Sequence, residues 1–126
     1  FEYTFIGNTK EKYSKIKHIP PLASKDLSKH LKSHDIYITA SQNDPCSNAL
    51  IEALECGLPA LYLNDGGHPE LVGSGGLSFN KADEIFEQLN RIVENYDMFQ
   101  NLINTPNINE VADKYLKVIK EAKSFD

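Results

Sequence analysis

The sequence predicts an α/β domain built on a parallel sheet, because short apolar segments alternate with segments of helical periodicity. The clearest strand is 35–40, which is nearly all apolar and rich in β-branched and aromatic residues, as a strand buried on both faces should be. The clearest helix follows at about 47–56 and carries apolar residues at helical spacing. At 126 residues the chain is long enough for one domain with its own core.

Two strands and a helix are predicted before that central unit. Residues 1–6 alternate apolar or aromatic with polar side chains, which is typical of a strand, and a short strand follows at 17–19. Ser24 is a suitable N-cap for a helix that carries Leu27 and Leu31 on one face. Because the chain reads as a strand from its first residue, we expect it to be a fragment of a longer protein.

The elements after the central helix continue the alternation. Gly57 and Pro59 end that helix, and 60–63 forms the next strand. A glycine-rich loop with about one helical turn runs to about Ser74. A last short strand is expected at 76–79.

The remainder of the chain is expected to be helical. Asn80 is a candidate N-cap for the first of these helices, and a short helix follows at about 98–103. Asn107 and Glu110 have the spacing of a capping box at the start of a final helix.

The composition disfavours a nucleic-acid-binding protein. The chain has 13 Lys and Arg against 18 Asp and Glu, whereas surfaces that bind nucleic acid are basic. No apolar run approaches the roughly 18 residues that a membrane-spanning helix needs. Cys46 and Cys56 lie at opposite ends of the predicted central helix, too far apart for a disulfide, so we expect reduced thiols in a cytoplasmic protein.

The loop at 41–48 is the best candidate for a ligand site. In an open parallel sheet, ligands bind at the carboxyl ends of the strands, where this loop leads into the central helix. Backbone N–H groups near Ser47, Asn48 and Ala49 should point outward with the positive end of the helix dipole. A diphosphate is the natural ligand for such an end, and as a leaving group it gains negative charge in the transition state.

Two carboxylates eight residues apart mark the segment 44–59, which reads DPCSNALIEALECGLP. Asp44 lies in a turn-like segment and Glu52 on the helix that follows. With DGGHPELV at 65–72 and GGL at 75–77, this segment resembles the signature of the donor-binding half of GT-B glycosyltransferases of family 4. The resemblance implies a Rossmann-like parallel sheet flanked by helices, the C-terminal half of a GT-B fold.

The resemblance also assigns roles to residues. It implies that Glu52 binds the ribose diol, for which a carboxylate is a suitable hydrogen-bond acceptor. It implies that Asp44 is a catalytic residue, which contacts the transferred sugar or stabilises its developing charge. The family has Glu where this chain has Asp44, so the carboxylate is one methylene shorter. Further donor-binding positions lie in the loop before the helix and in the glycine-rich loop facing the cleft: Pro45, Cys46, Ser47, Asn48, Gly66, Gly67 and His68.

For the whole protein, the resemblance implies transfer of a sugar from a nucleoside diphosphate donor, with UDP-sugar expected, to a saccharide or lipid-linked acceptor. Transfer would retain anomeric configuration and need no cofactor or metal. The acceptor-binding N-terminal domain, the diphosphate-binding Arg or Lys and any peripheral membrane contact would lie upstream of Phe1. The isolated chain is expected to be inactive in transfer.

Two alternatives stay open from sequence. One is a nucleotide-sugar epimerase half of the same architecture, in which His68 would act as an acid or base. The other is a non-catalytic α/β module that binds a protein partner, which the Asp44 replacement favours. Substitution of Asp44 and Glu52 separates these alternatives, because a module without a donor site would not respond.

Overall fold

The computed structural model describes residues 1–105 and 108–123, which contain five strands and six α-helices. The strands are β1 (Tyr3–Ile6), β2 (Ile16–Ile19), β3 (Tyr37–Thr39), β4 (Ala60–Leu63) and β5 (Gly76–Phe79). The helices are α1 (Ser24–Lys32), α2 (Asn48–Glu55), α3 (His68–Val72), α4 (Ile85–Glu94), α5 (Tyr96–Asn101) and α6 (Ile108–Lys123). The predicted alternation of strands and helices is confirmed.

All the strand pairs of the described residues are parallel, but they form two hydrogen-bonded sheets. β1 pairs with β2, and β3, β4 and β5 form a separate sheet in that order. A side-chain hydrogen bond of 2.9 Å between His34 Nε2, just after α1, and Thr4 Oγ1 on β1 links the two parts. The single sheet implied by the sequence is therefore divided between β1 and β3.

The three-stranded sheet is buried on both faces, as the apolar character of its strands predicted. On one face, Ala60 and Tyr62 of β4 pack with α2 and α3 through a cluster that also contains Leu50, Leu54 and Val72. On the other face, Leu61 packs with residues of β5, α4 and α5, namely Phe79, Leu89, Ile92 and Phe99. This alternation along β4 is the two-residue period of a strand, and it produces an α/β architecture with helices on both faces.

Local capping explains the ends of α2. The Ser47 hydroxyl accepts a hydrogen bond from the Leu50 N–H at 3.3 Å, and the backbone turns at Gly57 with φ of 87°. The turn at Gly57 was predicted, because a left-handed glycine ends a helix through its immediate neighbours. The Ser47 cap was not predicted, although serine is among the preferred N-cap residues. The prediction at about 47–56 is confirmed to within the cap residues.

Two predicted caps are wrong. Ser24 is the first residue of α1, and Ala23 occupies the N-cap position without a side-chain hydrogen bond. Asn80 does not cap a helix. Instead, the Glu84 carboxylate accepts from the N–H groups of Asn80 and Lys81, at 2.7 and 3.4 Å, across a short 3₁₀ turn at Ala82–Glu84.

The capping box predicted for the last helix, at Asn107 and Glu110, lies outside the residues and side chains that are described. The helices within 1–105 and 108–123 are too short or too polar to cross a lipid bilayer.

Candidate functional site

The candidate site lies where β3 and β4 end, at the carboxyl edge of the three-stranded sheet. The loop after β3 reaches α2, and the loop after β4 reaches α3. Two hydrogen bonds join these loops: the Gly67 N–H donates to the Asp44 carbonyl oxygen at 2.9 Å, and the Asn43 N–H donates to Asp65 Oδ2. Residues 22 positions apart in sequence thus form one surface at the edge where α/β sheets bind ligands.

The close approach of the two loops depends on the glycines at 66 and 67. A Cβ added to Gly66 would meet the main chain of Asp44, and one added to Gly67 would meet the carbonyl of Pro45, each well inside 3.0 Å. Gly66 also has φ of 55°, a conformation that other residues rarely adopt. The Gly-Gly pair of the sequence motif therefore serves to bring the β4 loop against the loop that carries Asp44.

The Asp44 side chain is held by its own turn. Its Oδ1 accepts a hydrogen bond from the Cys46 N–H at 3.1 Å, which is the geometry of an Asx turn. The residue is half-buried, while the adjoining Pro45 and Cys46 are exposed. This bond fixes the orientation of the carboxylate relative to the start of α2.

The amino terminus of α2 opens beside Asp44. Asn48 and Ala49 are exposed, and the first N–H groups of a helix have no intrahelical acceptor. The side chain of Glu52, one helical turn further along, is half-buried. The arrangement combines outward-facing donors, the positive end of a helix dipole and two carboxylates, which suits a ligand that contains both phosphate and hydroxyl groups.

Tyr37, at the start of β3, is coupled electrostatically to both carboxylates of this site, a relation that the sequence reasoning missed. Burial raises the pKa of its hydroxyl above the ordinary value of 10.0, and the negative charges of Asp44 and Glu52 raise it further, whereas a polar contact with Thr39 lowers it. Both carboxylates therefore lie within electrostatic reach of one protonated hydroxyl. Only the strand register places the tyrosine there, so no local signal in the sequence marks it.

His68, which the family resemblance counts among the donor-binding residues of the loop facing the cleft, has its side chain inside the fold. The ring is fully buried: Nδ1–H donates to the Leu63 carbonyl oxygen at 3.0 Å, and the ring contacts Tyr62 edge-on at 6.3 Å between centroids. Nε2 has no hydrogen-bond partner among the described residues. The histidine thus packs α3 against β4, and this position does not favour the acid–base role that an epimerase would require.

A polar cavity of about 310 Å³ opens beside the two loops. Its lining is mainly amide and carboxylate side chains from the ends of the three strands: Gln42, Asn43, Leu63, Asn64, Asp65 and Asn80. Within the described part of the chain, no three His, Cys, Asp or Glu side chains lie together as a metal site would require.

A comparison with protein families identifies the chain. The model of the family described as glycosyl transferases group 1 matches residues 8–123. The chain belongs to the group 1 glycosyltransferases. No curated protein matches it.

A solved structure resembles this group 1 glycosyltransferase domain in fold. Anabaena HepE, crystallised in complex with UDP-glucose, superposes with a TM-score of 0.55 at 21% sequence identity. The match covers 69% of this chain and 25% of HepE, so the chain spans about a quarter of that protein's length. The likeness confirms the Rossmann-like α/β architecture expected from the motif.

The residues singled out in this group 1 glycosyltransferase domain fall into two groups. The structure brings together Asp44, the start of α2, and the loop of Gly66 and Gly67, and it places Glu52 on the same helix. It separates His68 from them, because that ring lies inside the fold. Asn43 and Asp65 were not marked by the sequence reasoning, since only the folded chain brings them into contact.

Proposed function

We propose that this chain is the donor-binding domain of a retaining glycosyltransferase that uses a nucleoside diphosphate sugar, with UDP as the nucleotide. The observation that carries the proposal is the position of Asp44 beside the amino terminus of α2, with Glu52 one turn along the same helix. The UDP-glucose held by Anabaena HepE, a protein of similar fold, supports the choice of donor.

Each group in the site has a chemical task in this proposal. The N–H groups at the start of α2 bind the diphosphate and stabilise the negative charge that grows on it as the sugar bond breaks. Glu52 accepts hydrogen bonds from the ribose hydroxyls. Asp44 faces the transferred sugar, and its negative charge stabilises the positive charge that develops at the anomeric carbon in an oxocarbenium-like transition state.

The remaining parts of the reaction belong to the whole protein. A second domain would supply the acceptor, a saccharide or a lipid-linked saccharide in polysaccharide biosynthesis, and any peripheral contact with a membrane from the cytoplasm. No cofactor or metal is proposed, because the helix terminus and the second domain supply the stabilising charge. The chain alone should show no transfer, since a cleft with one wall neither excludes water nor positions an acceptor.

The first test is an NMR titration of the protein with UDP, UDP-glucose and GDP. We expect amide shifts clustered at 44–52 and 65–68, stronger with UDP than with GDP. Glu52→Gln should weaken UDP binding about tenfold, because hydrogen bonds to charged groups contribute about 1.5 kcal/mol or more.

Glu55→Gln is the matched control, since it removes the same charge from an exposed position at the far end of α2. It should bind UDP as the unsubstituted protein does. Absence of shifts with every nucleotide, or an equal effect of the two Gln variants, would refute a donor site at Asp44 and Glu52.

A further inference from the structure

We propose that Asp65 is a positioning residue, whose carboxylate holds the loop 42–46 in the conformation that presents Asp44. The consequence for ligand binding rests on the proposed function, whereas the contact itself does not. Asp65 is the second residue after the end of β4 and lines the polar cavity, and neither the family match nor the motif gives it a role.

The carboxylate acts on the residue that precedes Asp44. Asp65 Oδ2 accepts a hydrogen bond from the Asn43 N–H at 2.5 Å. Asn43 has φ of 55°, and it is the one residue other than glycine with a positive φ among those described. Asparagine adopts this conformation more readily than most residues with a side chain, and a charge-assisted hydrogen bond to its own N–H is well placed to maintain it.

A second bond completes the attachment. The Gly67 N–H donates to the Asp44 carbonyl oxygen, so Asp44 is held at its carbonyl and through the amide of the preceding residue. The bond from Gly67 is between main-chain groups, so a substitution at position 65 removes neither its donor nor its acceptor. The bond from the Asn43 N–H is accepted by the side chain of Asp65, so a substitution at position 65 removes this bond.

The geometry predicts an effect on the sugar more than on the nucleotide. The start of α2, which would bind the diphosphate, has its own support from the Ser47 cap. The Asp44 side chain is held to Cys46 by its Asx turn, but the main chain at 43 and 44 is held by the contacts with the β4 loop. Loss of the Asp65 carboxylate should therefore displace the group that faces the sugar while leaving the phosphate-binding end of the helix in place.

The binding test compares Asp65→Ala, Asp65→Asn and the control Asp83→Ala, which removes an exposed carboxylate from the 3₁₀ turn. Calorimetry with UDP and with UDP-glucose should show about a tenfold loss of affinity for UDP-glucose in Asp65→Ala, and less than about a threefold loss for UDP. Asp65→Asn keeps an acceptor oxygen and should recover part of the loss. Equal losses for both ligands, or none for either, would overturn the positioning role.

A second measurement needs no ligand. Amide hydrogen exchange at Asn43 and Gly67 should accelerate in Asp65→Ala beyond any change in global unfolding, and to a smaller extent in Asp65→Asn. Unchanged exchange at both amides would overturn the proposal even where nucleotide binding is normal.

If the unsubstituted protein binds neither UDP nor UDP-glucose, the proposed function fails, and the exchange data alone decide whether Asp65 holds the loop. If Asp65→Ala does not fold, Asp65→Asn gives the decision.

Discussion

At position 67 the site depends on the absence of a side chain. A Cβ on Gly67 would collide with the carbonyl of Pro45, a main-chain atom that has little freedom to move aside. We expect Gly67→Ala to lower the free energy of unfolding by about 1–3 kcal/mol, the usual range for overpacking. Urea denaturation measures this change. Ser74→Ala, at an exposed loop position, should remain within about 0.5 kcal/mol, and similar values for the two variants would contradict the steric argument.

The roles of single residues were predicted from sequence where the role depends on neighbouring residues or belongs to a sequence motif. Asp44 and Glu52 were found from their spacing, which the family resemblance supplied. Tyr37 and Asp65 were missed, because their partners come from elsewhere in the fold. Tyr37 comes within reach of Asp44 and Glu52 only when α2 packs on the sheet, and Asp65 meets Asn43 only when the loops after β3 and β4 lie side by side. His68 belongs to a motif, but its burial depends on the packing of α3 against β4, which no spacing reveals.

Among the helices, α2 offers a way to separate stability from ligand binding. Ser47→Ala removes the acceptor for the Leu50 N–H and should cost about 1 kcal/mol of unfolding free energy. Ser47→Asp restores an acceptor and should recover that stability, yet it places a negative charge where a diphosphate would bind. Urea denaturation and UDP titration of both variants test this. Weak UDP binding should accompany normal stability in Ser47→Asp, whereas unaltered UDP binding there would argue against a phosphate site at this helix end.

The ends of elements were predictable where neighbouring residues determine them. The boundaries of α2 follow from Ser47 and Gly57, whose effects act within a turn of the chain. The caps proposed at Ser24 and Asn80 failed for a different reason. At the first helix, Ser24 lies one residue inside α1, and Ala23 at the N-cap has no side chain that could accept a hydrogen bond. At the second, Glu84 accepts from the N–H groups of Asn80 and Lys81 instead.

For the molecule as a whole, three tyrosines predict how stability varies with pH. Burial raises the pKa of Tyr37, Tyr62 and Tyr96 above the ordinary 10.0. The folded chain therefore retains these protons at a pH where the unfolded chain has begun to release them. The stabilisation is complete below about pH 10 and declines as the pH rises through the unfolded value toward the folded ones.

Urea denaturation between pH 8 and pH 11, a range around the tyrosine value of about 10, measures this decline. Tyr37→Phe should make the decline shallower, because it removes a hydroxyl whose pKa is raised by burial and by the charges of Asp44 and Glu52. Tyr13→Phe changes an exposed tyrosine and should leave the slope unaltered. A slope unaffected by Tyr37→Phe would show that the Tyr37 hydroxyl does not contribute to the pH dependence.

The sequence did not predict the order of the strands, although it did predict that they pair in parallel. Apolar strands alternating with helices require parallel pairing, but no residue pattern states which strands exchange hydrogen bonds. The division between β1–β2 and β3–β4–β5 emerges only from the positions of the backbone groups. The helices were easier to predict from sequence, because the spacing of their apolar residues indicates which face is buried.

That division leaves β3 with a free side. The Tyr37 N–H donates to the Pro59 carbonyl oxygen on the β4 side, so the N–H and C=O of Ile38 point the opposite way. Within 1–105 and 108–123 no strand takes up that side, and the Ile38 side chain is 37% exposed. A strand edge without a hydrogen-bonded neighbour can pair with another chain, so concentrated samples should self-associate where this edge is accessible. A lysine in place of Ile38 would be the first remedy for precipitation.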